Sequence, residues 1–368
     1  MKILAPTEEN ITYAAEKLKS GEIIGMPTET VYGLAASVFN EIALAKVFQA
    51  KERPTFDPLI VHVTLKENGM VVQQLSDMKV VDPLRLTEKA AETIEKVGKN
   101  FWPGPLTIVL PKNHLIPDLA TAGLPTVAVR VPSHPVAREL LRLVGTPIAA
   151  PSANRFGKIS PVTAQNVADD LDQKIELVLD GGACEVGLES SVFSIDEGGR
   201  LKLLRPGGVS KEAVEKVVGA SVVFGETLLD AKSSEQGVSS PGLLTSHYAP
   251  SKSLFILPAS VCEFANHDNK VFRELVRDFT CIGLMVLQGD ARIAEAKFQK
   301  CSSKNVIVKS ISENGDQLEA ARNLFKTMRE LDNSSAQVIF CEPCKQKQGL
   351  WLAISDRLLR ASSGRVIS

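Results

Sequence analysis

The sequence is poor in aromatic residues, at 5%, and contains six cysteines, two tryptophans and three tyrosines among 368 residues. Five of the cysteines, Cys262, Cys281, Cys301, Cys341 and Cys344, fall in the C-terminal third, and the sixth is Cys184. They lack the dense, regular spacing of a secreted disulfide scaffold. Cys341-Glu-Pro-Cys344 is a C-x-x-C, but no second pair or histidine partner follows, so it reads as incidental thiols rather than a zinc or redox site. No uninterrupted apolar run approaches the ~18 residues of a membrane span. The N-terminus MKILAPTEEN is charged by residue 8 and has neither a signal-peptide apolar core nor an arginine-rich transit segment, which predicts a cytoplasmic protein with no membrane attachment. A basic excess is also missing. The whole chain balances 42 Lys+Arg against 43 Asp+Glu, and residues 1–220 balance 24 against 27. Binding driven by phosphate-backbone contacts would normally show a basic domain, so RNA or tRNA contact is not evident. A Walker A loop, an H-E-x-x-H and a G-x-S-x-G elbow are absent too, which removes support for P-loop NTPase, zinc-hydrolase and α/β-hydrolase chemistry.

What is present is a soluble-protein composition, 44% apolar and 23% charged, long enough for two or three domains. Residues 1–220 alternate strand-like and helix-like segments. Strands are expected at Glu22–Met26, Leu59–Thr64, Leu106–Leu110, Thr126–Val131, Pro147–Ala150, Glu176–Leu179, Ser191–Ile195 and Leu201–Leu204. Helices are expected from Thr7 to about Ser20 and at Glu41–Ala50, Asp82–Lys99, His134–Val144, Ala164–Leu171 and Lys211–Val218, with Thr7, Ser133, Thr163 and Ser210 as cap signals. Because strands sometimes follow one another directly, this is an α/β sheet with parallel and antiparallel pairs. Residues 221–252, rich in Ser, Gly and Pro, read as a linker. Residues 253–368 read as a smaller, Rossmann-like α/β domain with strands at Leu254–Leu257, Cys281–Leu287, Val306–Ser310 and Gln337–Cys341, and helices near Val261–Asn266, Gly315–Leu331 and Leu350–Ala361. It lacks a G-x-G-x-x-G turn, which disfavours dinucleotide binding.

The informative residues are polar groups on otherwise apolar strands. In Thr126-Val-Ala-Val-Arg130-Val131 the valines share one face, while Thr126, Ala128 and Arg130 share the other. That second face suits an anionic ligand, or equally an exposed face with a structural Arg–carboxylate pair. Ser152-Ala-Asn154 follows the apolar run Pro147–Ala150, where small neighbours let a ligand approach the backbone; a Ser/Asn turn would look the same. Lys51-Glu-Arg53-Pro54 supplies two cations that could hold a triphosphate, Arg as a planar fork and Lys as a point charge. Two cations at a helix C-terminus would also simply complement its dipole. His62, inside Leu-Ile-Val-His-Val, suits a hydrogen-bonded core imidazole as well as a functional one. Met26-Pro-Thr28-Glu29-Thr30-Val-Tyr32-Gly33-Leu34 is a ligand-binding turn or a capped helix start.

Together these segments resemble the Sua5/YrdC/YciO family. The matching motifs run in the family's order: PTETVYGL (Pro27–Leu34), KxR (Lys51, Arg53), PLIVHV (Pro58–Val63), WPGPLT (Trp102–Thr107), TVAVRVP (Thr126–Pro132), PSAN (Pro151–Asn154), SP (Ser160, Pro161), GxES (Gly187–Ser190) and LRPG (Leu204–Gly207). One such motif is weak, but nine in order are specific. The stretch Ser240-Pro-Gly to His247-Tyr248-Ala-Pro250 and the C-terminal GLWLAISDRLLRAS are similar to those of the longer, two-domain Sua5 type. Family members usually have glycine where this chain has Trp351, and often asparagine where it has Asp356.

The resemblance implies a twisted, mixed-sheet catalytic domain and synthesis of threonylcarbamoyl-AMP and pyrophosphate from L-threonine, bicarbonate and ATP. It implies that Lys51 and Arg53, also the catalytic cations, form a nucleotide site with Ser152 and Asn154, and that Asp57, Thr126, Ser160 and Arg205 lie around ATP. It implies that Thr30, His62, Arg130 and Ser190 hold threonine. Tyr248, with His247, would reach over the nucleotide, and Ser240–Pro250 would be a lid protecting a labile mixed anhydride from water. Mg²⁺ would accompany the triphosphate, and the product would pass to a Kae1/TsaD-type transferase acting on adenosine 37 of tRNA. Two other readings stay open: an RNA-binding module using the fold's concave face, and carbamoyl-AMP formation from carbamoyl phosphate. Relatives with the latter activity carry acylphosphatase, zinc-finger or Kae1-like domains that this chain lacks.

Overall fold

The computed structural model describes residues 1–225, 247–265, 270–299 and 304–367. Two compact units are present, Met1–Phe156 with Ser160–Leu244, and Gly157–Ile159 with Thr245–Ser368. In the first unit, eleven strands among the described residues form one sheet: β1 Lys2–Leu4, β2 Ile24–Met26, β3 Gly33–Ser37, β4 Ile60–His62, β5 Leu106–Pro111, β6 Thr126–Arg130, β7 Ile148–Ala149, β8 Leu177–Leu179, β9 Ser191–Ile195, β10 Leu201–Arg205 and β11 Val223–Phe224. Their order is β1-β8-β2-β3-β7-β4-β6-β5-β9-β10-β11. Parallel and antiparallel pairings are mixed along it: β4–β6 and β5–β9 are parallel, whereas β7–β4 and β6–β5 are antiparallel. The expected mixed α/β sheet is what forms.

Strand β3 was not anticipated. Its sequence, Gly-Leu-Ala-Ala-Ser, has low strand propensity. Pairing on both sides, with β2 and β7, overrides that preference, and the small side chains pack in a fully buried position. It also resolves the segment Met26–Leu34, which is a turn between two strands and not a helix start. Two other expectations need correcting. The single helix expected over Asp82–Lys99 is two elements: a 3₁₀ turn Pro83–Arg85 capped by Asp82, and a helix Glu88–Phe101 capped by Thr87. Leu86 between them is extended, so the helix cannot run through. His134, not Ser133, caps the helix Pro135–Val144, its Nδ1 accepting from Val136 N–H, with proline at the first helical position. The other caps fall where expected, on Thr7, Thr163 and Ser210.

The second unit holds β12 Leu254–Ile256, β13 Cys281–Val286, β14 Asn305–Ser310 and β15 Val338–Cys341, in the all-parallel order β12-β15-β13-β14. The helices Lys270–Val276 and Ala291–Phe298, absent from the sequence reading, complete its crossovers. Cys341 is buried in β15, and burial pushes its thiol and that of Cys344 upward, as expected of inert thiols. Among the described residues no group of three or more His, Cys, Asp or Glu could hold a metal ion, and no helix is long and apolar enough to cross a membrane. Residues 226–246, most of the stretch read as a linker, lie outside the described residues; Val223–Phe224 before them pairs with β10.

The first unit's sheet is anchored by a cluster that joins the helices Glu8–Lys19 and Pro135–Val144 to β2, β7 and β8 through Leu18, Ile24, Leu140, Leu141, Ile148 and Leu177. Leu140 is fully buried there. Leu140→Ala is expected to cost about 2–5 kcal/mol through lost transfer energy and the cavity left behind. Urea unfolding of the two proteins measures this, as a lower midpoint with an unchanged slope.

Candidate active site

Lys51 is the last residue of the helix Glu41–Lys51, which Glu52 ends by turning left-handed (φ 54°). The turn folds Lys51 and Arg53 inward. Lys51 is 1% exposed, so the reading in which it merely complements a helix dipole from solvent does not hold. Its ammonium donates to the backbone carbonyls of Ser152 and Asn154, the latter at 2.6 Å. The first sequence-predicted pair of segments is thereby joined. Arg53, also buried, donates Nε to the Asp57 carbonyl (3.1 Å) and Nη2 to the Pro58 carbonyl (2.8 Å), and Nη2 lies 2.8 Å from Asp57 Oδ2. Burial holds the Lys51 ammonium well below its ordinary pKa, and the neighbouring Arg53 adds to this. Burial pushes the Asp57 carboxyl up, against the pull of Arg53, Lys51 and Arg205. Buried charges of this kind persist only when paired or awaiting a charged ligand.

A second set of charges sits on the sheet. Register aligns His62 on β4 with Arg130 on β6, Arg130 with Thr107 on β5, Thr107 with Val192 on β9, and Val192 with Arg205 on β10. Four buried polar side chains thus lie in one row across five strands. The exposed-face alternative for Arg130 fails, since it is 3% exposed. Its Nη1 donates to Thr30 Oγ1 at 2.8 Å, and its Nη2 lies 2.6 Å from Glu29 Oε1. Thr28 and Thr30 share a hydroxyl contact of 2.8 Å beneath them. Burial opposes ionisation of Glu29, but Arg130 outweighs it and holds the carboxyl below its usual range. His62 is 2% exposed; burial, with Arg130 beside it, lowers its pKa to about 3, and Nδ1 has no hydrogen-bond partner. It is a neutral imidazole.

The two sets meet through Ser190. Its hydroxyl lies 2.7 Å from Thr107 Oγ1, and its carbonyl accepts from Arg205 Nη2 at 2.9 Å. Arg205 in turn acts electrostatically on Asp57. Ser160 donates to Glu189 Oε1, beside Ser190 in the same loop. Backbone bonds close the ring: Val186 N–H to Glu29 O, Tyr32 N–H to Pro161 O, Ala153 N–H to Tyr32 O and Phe156 N–H to Lys51 O. Lys51 is thereby joined to Ser152 and Asn154, Arg53 to Asp57, Arg130 to Thr30 and Glu29, Ser190 to Thr107 and Arg205, and Ser160 to Glu189; all but the half-buried Ser152 are buried, and His62 joins them through strand register. Thr126 shares a face of β6 with Arg130 but stands at the strand's other end, paired with Pro111. Tyr248 and His247 belong to the second unit, where the Tyr248 ring stacks on Phe325 (5.6 Å) beneath the Arg357 guanidinium (4.9 Å). Residues 240–246 of the expected lid lie outside the described residues. Sequence reasoning assigned no role to Glu29, Thr107 or Glu189. Glu29 carried a signal, being the one carboxylate in a hydroxyl-rich turn, whereas Thr107 could be found only once the strand register was known.

Residues 16–207 match the Sua5/YciO/YrdC family, described as "Telomere recombination", and residues 209–363 match the family described as "Threonylcarbamoyl-AMP synthase, C-terminal domain". The chain belongs to the Sua5/YrdC/YciO family. It has the two-domain Sua5 composition, as the sequence motifs implied. The chain is 37% identical to the threonylcarbamoyl-AMP synthase of Pyrococcus abyssi over 372 residues, covering 98% of this chain and 96% of that protein. With the enzyme of the same name from Bacillus subtilis it shares 36% identity, covering 99% and 96%. The crystal structure of P. abyssi Sua5 complexed with L-threonine superposes with a TM-score of 0.84 at 35% identity, covering 100% of this chain and 99% of that one.

Two predictions come from this Sua5-type site. A Cβ on Gly207 would meet the Glu189 carbonyl at 2.3 Å and the Ser190 backbone at 2.5 Å. Gly207→Ala should therefore displace the Ser190 loop and lower activity at least tenfold while leaving the far-ultraviolet spectrum unchanged. The His62 pKa is depressed from 6.5 to about 3 on folding, so the unfolded chain binds the extra proton. That contribution to stability is complete above pH 6.5 and is lost as pH falls from 6.5 towards 3. Over the range 6.5 to 4, denaturant titrations should show wild type losing stability more steeply than His62→Gln.

Proposed function

We propose that this chain is a threonylcarbamoyl-AMP synthase, using ATP to activate a carbamate made from L-threonine and bicarbonate and releasing pyrophosphate. The observation that carries the reading is a network of buried groups holding two separate cationic places, Lys51 with Arg53, and Arg130. Two anionic groups have to be gripped at once, a triphosphate and an amino-acid carboxylate, and the network offers a cationic place for each. The relatives matched over nearly their whole length bear the name of this activity, and the superposed archaeal structure carries L-threonine.

In this reading Lys51, Arg53, Ser152, Asn154, Asp57, Ser160 and Arg205 form the nucleotide side, with Thr126 at its margin. Thr30, His62, Arg130 and Ser190 form the threonine side. A carbamate oxygen attacks the α-phosphorus and pyrophosphate leaves, so the protein's task is positioning and the neutralisation of developing phosphate charge. Lys51 and Arg53 suit that task because they are desolvated and held in place before the substrate arrives. Asp57, Glu29 and Glu189 are engaged by Arg53, Arg130 and Ser160 respectively, so they do not form a protein cage for a metal. That fits Mg²⁺ carried by the triphosphate itself, where it would offset phosphate charge. The product would serve a Kae1/TsaD-type transferase in modifying adenosine 37 of tRNA.

Mass spectrometry after incubation with ATP, labelled bicarbonate and threonine should show the threonylcarbamoyl-AMP mass with the label in the carbamoyl carbon; labelled carbamoyl-AMP, or no adenylate, would reject the reading. Arg53→Ala should weaken ATP use and Arg130→Ala threonine use, each by about 1.5–3 kcal/mol, or roughly 10- to 150-fold. Steady-state kinetics with each substrate varied in turn separates the two.

A further inference from the structure

The threonine side contains an anion as well as a cation. Glu29 and Arg130 are 4% and 3% exposed and lie 2.6 Å apart at Oε1 and Nη2. The contact is an ion pair, and Arg130 Nε has no hydrogen-bond partner. Nη1 is already committed to Thr30. The Nε–Nη2 edge is the fork that a carboxylate grips with two parallel bonds. A carboxylate seated there would have the carboxyl group of Glu29 beside its outer nitrogen. An α-amino acid bound by that fork carries its ammonium one carbon from its own carboxylate, on the scale of this separation. The threonine side thus presents one buried cation and one buried anion, complementary to a zwitterion.

We propose that Glu29 receives the α-ammonium of the amino-acid substrate and accepts its proton, freeing the amine to form the carbamate. This rests on the reading of Arg130 as the carboxylate site. The step balances as R–NH₃⁺ + Glu29–COO⁻ → R–NH₂ + Glu29–COOH, followed by R–NH₂ + HCO₃⁻ → R–NH–COO⁻ + H₂O; Glu29 then returns its proton to solvent. Arg130 keeps Glu29 ionised against the effect of burial. A substrate carboxylate on Arg130 relieves that restraint, so the proton affinity of Glu29 rises as that carboxylate binds. His62 is the neighbouring imidazole, but its very low basicity makes it a hydrogen-bond acceptor and not the proton acceptor. Cys184, the other titratable group near Glu29, is held protonated by burial.

A ligand-and-protein cycle tests the assignment. Wild type and Glu29→Gln are titrated calorimetrically with L-threonine and with 3-hydroxybutyrate, which is threonine without its amine. Wild type should prefer threonine by about 10- to 100-fold, and Glu29→Gln should reduce that preference to about threefold or less. If Glu29 only propped up Arg130, both ligands would weaken equally and the preference would survive, which would overturn the proposal. Wild type failing to bind threonine would instead overturn the reading of Arg130, and the proposal with it. Glu29→Asp, which keeps the charge but withdraws it by one methylene, covers the case in which Glu29→Gln does not fold. It should retain the preference but lose about tenfold in kcat with KM for ATP unchanged, and an unchanged kcat would reject the proton transfer.

Discussion

The first unit keeps an unusual set of ionisable groups out of water. Lys51, Arg53, Arg130 and Arg205 are all buried, as are Asp57 and Glu29. Desolvating each of these ions costs several kcal/mol even after relaxation, and an imperfect ion pair repays only part of it. Strand register holds Arg130 and Arg205 in place, while Lys51, Arg53, Asp57 and Glu29 are held by a helix end and turns. Backbone carbonyls of Ser152, Asn154, Asp57, Pro58 and Ser190 do much of the holding. Charges held this way are desolvated and oriented in advance, which is the form in which electrostatics contributes most to catalysis.

The resulting polarity explains why so much of the site was readable. Lysine, arginine and histidine in apolar or proline-flanked surroundings break the expected pattern and singled out Lys51, Arg53, His62 and Arg130, but only the ordered motifs gave them roles. Their partners were harder. Thr107 looks like any strand threonine until β5 is paired with β6, and Glu29 looks like an ordinary turn carboxylate until the turn is placed against β6. Periodicity cannot supply such information, since it reports which face a residue occupies and not which strand lies next to it.

The fold was legible in the same uneven way. Apolar strands such as β5 and β9 and well-capped helices such as Ala164–Leu171 announce themselves locally. Strand β3 does not, because only its two neighbours make Gly-Leu-Ala-Ala-Ser extend. The helix expected across Leu86 failed for a comparable reason, two short caps outcompeting one long periodic pattern. Helices Lys270–Val276 and Ala291–Phe298 close crossovers that an all-parallel sheet requires, so topology demanded them where the residue pattern was weak.

The chain enters its second unit twice, once with Gly157–Ile159 and again from Thr245 onward. Within that unit the Ala249 N–H bonds the Gly157 carbonyl at 2.8 Å, and the Arg329 guanidinium bonds the Ile159 carbonyl. Gly157–Ile159 is also the stretch between Asn154 and Ser160. No single cut in the polypeptide can therefore part the two units cleanly. An N-terminal fragment would keep those three residues while discarding the groups that order their backbone.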